Sequence, residues 1–82
     1  MFYAYVIRSL KDGSFYKGHC ENIEKRIMQH NSGMTRSISN RVPFELVYFE
    51  EFEMKSSAII REKYFKSAAG RVFLKKKLNL VS

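Results

Sequence analysis

The fold depends on residues 2–31, FYAYVIRSLKDGSFYKGHCENIEKRIMQHN, which indicate two strands joined by a tight turn and followed by a helix. Residues 2–8 are aromatic and β-branched, as strands prefer, and both of their faces are largely apolar. Such a strand is covered on both sides, so we expect it in the centre of its sheet. Gly13 completes a turn signal, and residues 14–19 continue as the partner strand, in which Gly18 indicates a bulge or a close approach by another group.

The helix of this stretch is predicted to begin after Asn22, because an asparagine side chain is a good N-cap. It is predicted to run to about Asn31, with Gly33 as the C-terminal stop. Ile23 and Ile27 are four residues apart and form the apolar stripe that faces the core.

Four side chains of the same stretch are candidates for one site. Tyr5 and Tyr16 lie on the paired strands, while Arg26 and His30 are neighbours on the helix because they are four residues apart. Phenol, guanidinium and imidazole groups together are capable of phosphodiester chemistry. The competing interpretation makes both tyrosines core aromatics, Arg26 a solvated helix charge and His30 a partner of the helix dipole.

The rest of the chain predicts support for this unit. Residues 33–43 are polar and indicate a loop, and Phe44 to Phe52 predicts a third strand. A second helix is expected from Lys55 or Ser56 to about Ser67, and a last short helix over 71–81 after a break at Gly70. The order ββαβαα predicts an α+β fold, with a three-stranded, mainly antiparallel sheet flanked by helices, in one domain over 1–82.

The composition restricts the function. The 82 residues carry 15 Lys and Arg against 8 Asp and Glu, and a net charge of +7 suits a polyanionic partner. The single cysteine, Cys20, excludes an internal disulfide and a multi-cysteine zinc site. We expect a cytoplasmic protein without a membrane segment, because no apolar run has bilayer length and the start lacks signal-peptide features.

The order and spacing of several short motifs resemble the GIY-YIG nuclease superfamily, in particular small stand-alone members related to the N-terminal module of the excision-repair incision subunit. The resemblance covers essentially the whole chain. It is carried by residues 5–9 (YVIRS), 11–18 (KDGSFYKG), Arg26, 30–33 (HNSG), 42–48 (VPFELVY) and 58–63 (AIIREK).

The resemblance implies an endonuclease that hydrolyses DNA, with branched or damaged DNA among the expected substrates, in a repair setting. It matches Tyr5 and Tyr16 to the family's two motif tyrosines, Arg26 to its helix arginine and His30 to its histidine or tyrosine position. Glu62 matches the glutamate that binds one Mg²⁺ or Mn²⁺, and the competing interpretation pairs it with Lys66 on the helix surface. Tyr5 is our candidate for the base and Tyr16 for a phosphate or water ligand.

A set of cations is expected to bind nucleic-acid phosphates with a steep salt dependence. It comprises Lys17, Arg36, Arg41, Lys63 and Lys66.

Two departures from the family pattern leave other functions open. Lys17 replaces the middle isoleucine of the second motif, and His19-Cys20 stand where a small hydroxyl residue is common. These changes are compatible with a module that binds nucleic acid and cleaves it weakly. A third hypothesis is a protein-interaction domain that uses the acidic strand Glu45–Glu53, which holds four of the eight acidic residues.

Overall fold

A computed structural model describes residues 1–79 of the chain. They form an α+β fold in the predicted order ββαβαα, with a short 3-10 helix added before the third strand. The strands are β1 (Phe2–Ser9), β2 (Phe15–Cys20) and β3 (Phe44–Phe52), and the helices are α1 (Ile23–Asn31), α2 (Lys55–Lys66) and α3 (Ala68–Lys77). None of the helices in residues 1–79 is long and apolar enough to cross a membrane.

The first strand is central, as its two apolar faces predicted. The sheet order is β2-β1-β3, and both neighbours run antiparallel to β1. In the register, Tyr5 is opposite Gly18 and Ile7 is opposite Tyr16. The strand β2 is therefore an edge strand, and its tyrosine and glycine lie beside the central tyrosine.

The two faces of β1 contact separate cores. On one face, Tyr5 and Ile7 pack with Cys20, Ile38 and Phe44 beneath α1. The predicted stripe of Ile23 and Ile27 packs against this cluster, and Asn22 caps the helix by accepting a hydrogen bond from the backbone N–H of Lys25 at 3.0 Å. On the other face, Ala4 and Val6 pack with Phe65 of α2 and Leu74 of α3.

The segment 33–43, predicted to be a loop, contains a 3-10 helix over Arg36–Arg41. This helix places the side chain of Ile38 in the core, where it is 4% exposed. One apolar residue among polar neighbours produces no periodic signal, so the sequence pattern did not indicate the turn.

The prediction that Gly70 breaks the chain between two helices was wrong. Gly70 lies in the first turn of α3, which begins at Ala68 and not at residue 71. Ser67 caps this helix by accepting a hydrogen bond from the Gly70 N–H. Only a glycine allows the closeness observed here, because a Cβ at position 70 would lie 1.7 Å from the carbonyl oxygen of Tyr64. Of the predicted last helix, residues 80 and 81 lie outside the described residues.

Candidate functional site

The centre of the candidate site is a hydrogen bond between Tyr5 and His30. The Tyr5 hydroxyl lies 2.8 Å from His30 Nε2, and the two side chains are 2% and 1% exposed. The other ring nitrogen, Nδ1, lies 2.8 Å from Thr35 Oγ1. Burial lowers the pKa of His30, and the nearby charge of Arg26 lowers it further, so the imidazole is neutral at neutral pH. A neutral ring accepts a hydrogen bond at one nitrogen and donates at the other.

Tyr16 completes a cluster of three rings. Its ring centroid lies 5.2 Å from that of His30 and 6.5 Å from that of Tyr5. Tyr16 is half-buried, whereas Tyr5 and His30 are buried. The fold therefore brings together three of the predicted site residues, and Tyr16 is the one that solvent reaches most easily.

The hydroxyl of Tyr5 reaches the sheet edge because Gly18 has no side chain. A Cβ at position 18 would lie 2.5 Å from the Tyr5 oxygen. The close approach expected at this glycine is thus made by Tyr5.

Arg26 lines an open cleft, and its charge is close enough to Tyr5 and His30 to lower the pKa of both groups. The cleft encloses about 500 Å³ and is also lined by His19, Cys20, Lys25 and Gln29, among others. Arg26 is exposed, so its guanidinium is accessible to a ligand. A guanidinium binds a phosphate through two parallel hydrogen bonds.

Glu62 lies on the opposite face of the sheet, on α2. Its Oε1 is 2.6 Å from His19 Nδ1, and its Oε2 is 2.6 Å from Lys66 Nζ. Burial raises the pKa of Glu62, but the hydrogen bonds from Lys66 and His19 outweigh it and hold the pKa below its usual value. Glu62 therefore forms the predicted helix-surface pair with Lys66 and also contacts strand β2 through His19, while its role as a metal ligand stays a prediction.

The electrostatics connect the two faces at Tyr5. Burial raises the pKa of Tyr5 well above its usual value, and Tyr16 and the Glu62 carboxylate raise it further, while Arg26 acts in the opposite direction. A free phenolate is consequently disfavoured in the protein without ligand.

The predicted phosphate-binding cations divide into three groups. Lys17 and Lys66 lie on the same side of the sheet as Glu62, and Arg36 and Lys63 are exposed. Arg41 is occupied inside the fold: its Nη1 donates to Ser14 Oγ at 2.9 Å, and its guanidinium lies over the Phe44 ring.

Two residues near the site were missed by the sequence analysis as candidates, His19 and Arg71. His19 contacts Glu62, and Arg71 is close enough to lower the pKa of Lys17, which burial lowers first. Strand alternation offered a signal for His19, because it places residues 17 and 19 on one face of β2. The sequence offered none for Arg71, because its position depends on how α3 packs.

The donor atoms present restrict the kind of metal site that is possible. Within residues 1–79, no three His, Cys, Asp or Glu side chains are grouped closely enough to hold a metal ion. The available donors are the Glu62 carboxylate and the adjacent His19 ring. Mg²⁺ fits such a sparse site, because it is often held by one or two carboxylates, with water and substrate phosphates as its other ligands.

Comparisons with known proteins establish the family of the chain. A UPF0213 protein of Staphylococcus saprophyticus is 42% identical over 81 residues, which is 98% of this chain and 93% of that protein. One from Clostridium perfringens is also 42% identical and aligns with 100% of this chain and 84% of its own. The solution NMR structure of a UPF0213 protein from Bacillus halodurans superposes with a TM-score of 0.54 at 32% identity, covering 93% of this chain and 84% of that one. Since the model of the GIY-YIG catalytic domain also matches residues 1–79, the resemblance is confirmed and the chain belongs to the GIY-YIG family of nuclease-type domains.

Proposed function

We propose that this protein is a metal-dependent endonuclease that hydrolyses phosphodiester bonds in DNA at the edge of strand β2. The observation that carries the proposal is the buried hydrogen bond between the Tyr5 hydroxyl and His30 Nε2, with the Tyr16 ring packed against the His30 ring. A base, a cation and an acidic metal ligand are the groups that phosphodiester hydrolysis requires. Family membership supports the same reaction class.

The substrate would lie along β2, where the two faces of the sheet meet. Arg26, exposed in the cleft, would bind the scissile phosphate and stabilise the charge that develops on it. Glu62 would hold Mg²⁺ or Mn²⁺, which supplies a polarised phosphate and a water of lowered pKa when bound. Tyr16, half-buried at the edge of the ring cluster, would donate a hydrogen bond to a phosphate oxygen or to the attacking water.

The proton of the attacking water would pass to the Tyr5–His30 pair. Because burial raises the pKa of Tyr5, we assign the base function to the pair and not to a free phenolate. The Tyr5 oxygen would accept the proton from water while its own proton moves to His30 Nε2, and Thr35 Oγ1 would hold the ring by accepting from Nδ1–H. The lowered pKa of His30 keeps Nε2 free to accept this proton at neutral pH.

Specific contacts favour a second candidate function, a module that binds DNA and cleaves it poorly. Both oxygens of Glu62 are engaged, by His19 and by Lys66, and a metal ion must displace at least one of these partners. Binding without cleavage would still use the cations near β2.

A plasmid-nicking assay distinguishes the two candidates. We expect nicking of supercoiled or flapped DNA with Mg²⁺ or Mn²⁺, and none with a chelator. Glu62→Gln, Tyr5→Phe and Arg26→Ala should each reduce the rate by about 10²-fold or more, since each removes a group that acts in the transition state.

Two controls make the assay decisive. Lys76→Ala changes an exposed cation on α3 that does not contact the site, and it should retain full activity. DNA binding that is unaffected by chelator and by Arg26→Ala, without cleavage under any of these conditions, would contradict the nuclease proposal and favour the binding module.

A further inference from the structure

We propose that His19 is a second protein ligand of the divalent ion and makes the site prefer first-row transition ions over Mg²⁺. This inference rests on the proposed function for the location of the metal. It adds the identity of a second ligand and the class of metal that the pair selects. The contact between His19 and Glu62 joins β2 to α2 across 43 residues of sequence.

The distance between the two donor atoms suits a shared ion. His19 Nδ1 lies 2.6 Å from Glu62 Oε1. Two ligands at about 2.1 Å from one ion and at right angles to each other are about 3.0 Å apart. An increase of a few tenths of an ångström in the distance between Nδ1 and Oε1 would therefore allow both atoms to bind one ion.

The protonation chemistry allows this exchange. In the pair as observed, one proton lies between Nδ1 and Oε1, because a contact this short is a hydrogen bond. A neutral imidazole that carries its proton on Nε2 presents a lone pair at Nδ1. The ion would take the place of the shared proton, and the ring proton would move through solvent to Nε2. The His19 side chain is 35% exposed and lines the open cleft, so water reaches the ring.

Lys66 opposes metal binding, so its substitution provides a second test of the proposal. Its ammonium lies 2.6 Å from Oε2 of the same carboxylate, on the atom that His19 does not contact. An ion between His19 and Oε1 leaves that hydrogen bond in place, but the two positive charges repel each other. The Lys66 side chain is 53% exposed and is able to move away. Loss of this amine should therefore strengthen metal binding, whereas loss of the imidazole should weaken it.

The metal preference follows from the donor types. Carboxylate and water oxygens suit Mg²⁺, whereas an imidazole nitrogen suits later first-row ions, with affinity rising from Mn²⁺ through Co²⁺ to Ni²⁺. A site with three or more acidic or imidazole ligands would set the metal preference through the whole group, but residues 1–79 contain no such group. One nitrogen ligand thus has a large share in deciding which ion is bound.

The test measures metal binding on the protein without DNA. The chain contains only two histidines, so a nitrogen ligand to Mn²⁺ detected by pulsed electron paramagnetic resonance is assignable by substitution. We expect nitrogen modulation in the wild-type Mn²⁺ complex and none in His19→Gln, with folding verified by circular dichroism. The Ni²⁺ affinity should fall at least about tenfold in His19→Gln, while the Mg²⁺ affinity changes less than about twofold. Lys66→Met should raise the affinity for both ions.

The outcomes separate this inference from the nuclease proposal. Mn²⁺ binding that is lost in Glu62→Gln but shows no nitrogen modulation in the wild-type protein would overturn the role of His19 and leave the nuclease intact. An unchanged preference for Ni²⁺ over Mg²⁺ in His19→Gln would likewise overturn the role of His19 and leave the nuclease proposal intact. Nitrogen modulation without nicking under any metal would support the role of His19 and contradict the nuclease.

Discussion

The hydroxyl of Tyr5 lies directly against the backbone of Gly18, where a Cβ would be 2.5 Å from the phenolic oxygen and 2.7 Å from Cζ. The two residues are opposite each other in the register of β1 and β2. Tyr5 thereby places a reactive group at the edge of the sheet while its ring stays in the core. This single contact couples packing to the proposed chemistry.

We therefore expect Gly18→Ala to impair cleavage more than folding. The added methyl group must displace the Tyr5 hydroxyl from His30 Nε2, and a misplacement of about 1 Å reduces catalysis by about 10²-fold. Overpacking should lower the free energy of unfolding by about 1–3 kcal/mol. Nicking rates and urea unfolding measure the two effects.

A double mutant provides the control for this prediction. Tyr5→Phe removes the oxygen that the new methyl group meets, so Gly18→Ala should destabilise the Tyr5→Phe protein less than it destabilises the wild type. Activity should stay low in the double mutant, because the hydroxyl is gone. Equal destabilisation in both backgrounds would show that the Tyr5 hydroxyl does not determine the effect.

The buried His30 should make the protein less stable in acid. Its pKa is about 6.5 in the unfolded chain and lower in the folded protein, where burial and Arg26 oppose the charged form. As the pH falls below about 6.5, the unfolded chain gains a proton that the folded protein does not, so the free energy of unfolding decreases. An NMR titration of the His30 ring should give a midpoint below 6.5, and nicking should fall over the same range. A midpoint at or above 6.5 would contradict the assignment of a neutral ring.

Much of the fold was accessible from the sequence because local signals and packing agree. Two apolar faces identified β1 as the central strand, and Asn22 marked the start of α1, both as observed. The 3-10 helix and the start of α3 were missed because each depends on a tertiary contact: Ile38 inserts into the core, and Gly70 packs on Tyr64.

The candidate site was predicted in part, because local sequence signals locate some of its residues and tertiary packing locates the others. Tyr5, Tyr16 and His30 come from segments adjacent in sequence, and they do meet in one ring cluster. Glu62 approaches from the other face of the sheet and is bonded to His19, a residue that the family pattern marked only as a departure. The contact between His19 and Glu62 spans 43 residues and depends on how α2 packs on the sheet. The periodicity of a single segment does not reveal such packing.

Gly70→Ala should destabilise the protein strongly, although alanine is the better helix former. The new Cβ would lie 1.7 Å from the Tyr64 carbonyl oxygen, and backbone cannot yield as a flexible side chain does. We expect a loss of about 3 kcal/mol or more, at the upper end of the range for overpacking. Ala69→Ser, at an exposed neighbouring position, is the matched control and should change stability by less than about 0.5 kcal/mol. Thermal or urea unfolding measures both.

Arg61 is expected to stabilise the packing of α2 and α3 on the sheet. It donates to both oxygens of Glu50, at 2.9 and 3.1 Å, and its guanidinium lies 4.5 Å from the ring centroid of Tyr64 and 4.8 Å from that of Phe73. Arg61→Ala should reduce the free energy of unfolding by about 2 kcal/mol, and Arg61→Lys should restore little of it, because an ammonium cannot form the planar fork. Lys63→Ala, two residues away and exposed, should have little effect; a similar loss there would refute a special role for Arg61.

The salt dependence of DNA binding should identify Arg71 as a phosphate contact. Arg71 lies with Lys17 and Lys75 around a mainly apolar pocket of about 190 Å³, and neither Arg71 nor Lys17 forms an ion pair with another side chain of residues 1–79. The charges of Arg71 and Lys66 add to burial in lowering the pKa of Lys17, so the cations stand close together, and phosphates would relieve their repulsion.

Each phosphate contact contributes about −0.9 to the slope of log Kobs against log salt on duplex DNA. Arg71→Ala should therefore make the slope shallower by about one unit, whereas Lys76→Ala, on another side of α3, should leave it unchanged in a titration followed by fluorescence anisotropy. Equal slopes for Arg71→Ala and the wild type would exclude Arg71 as a phosphate contact.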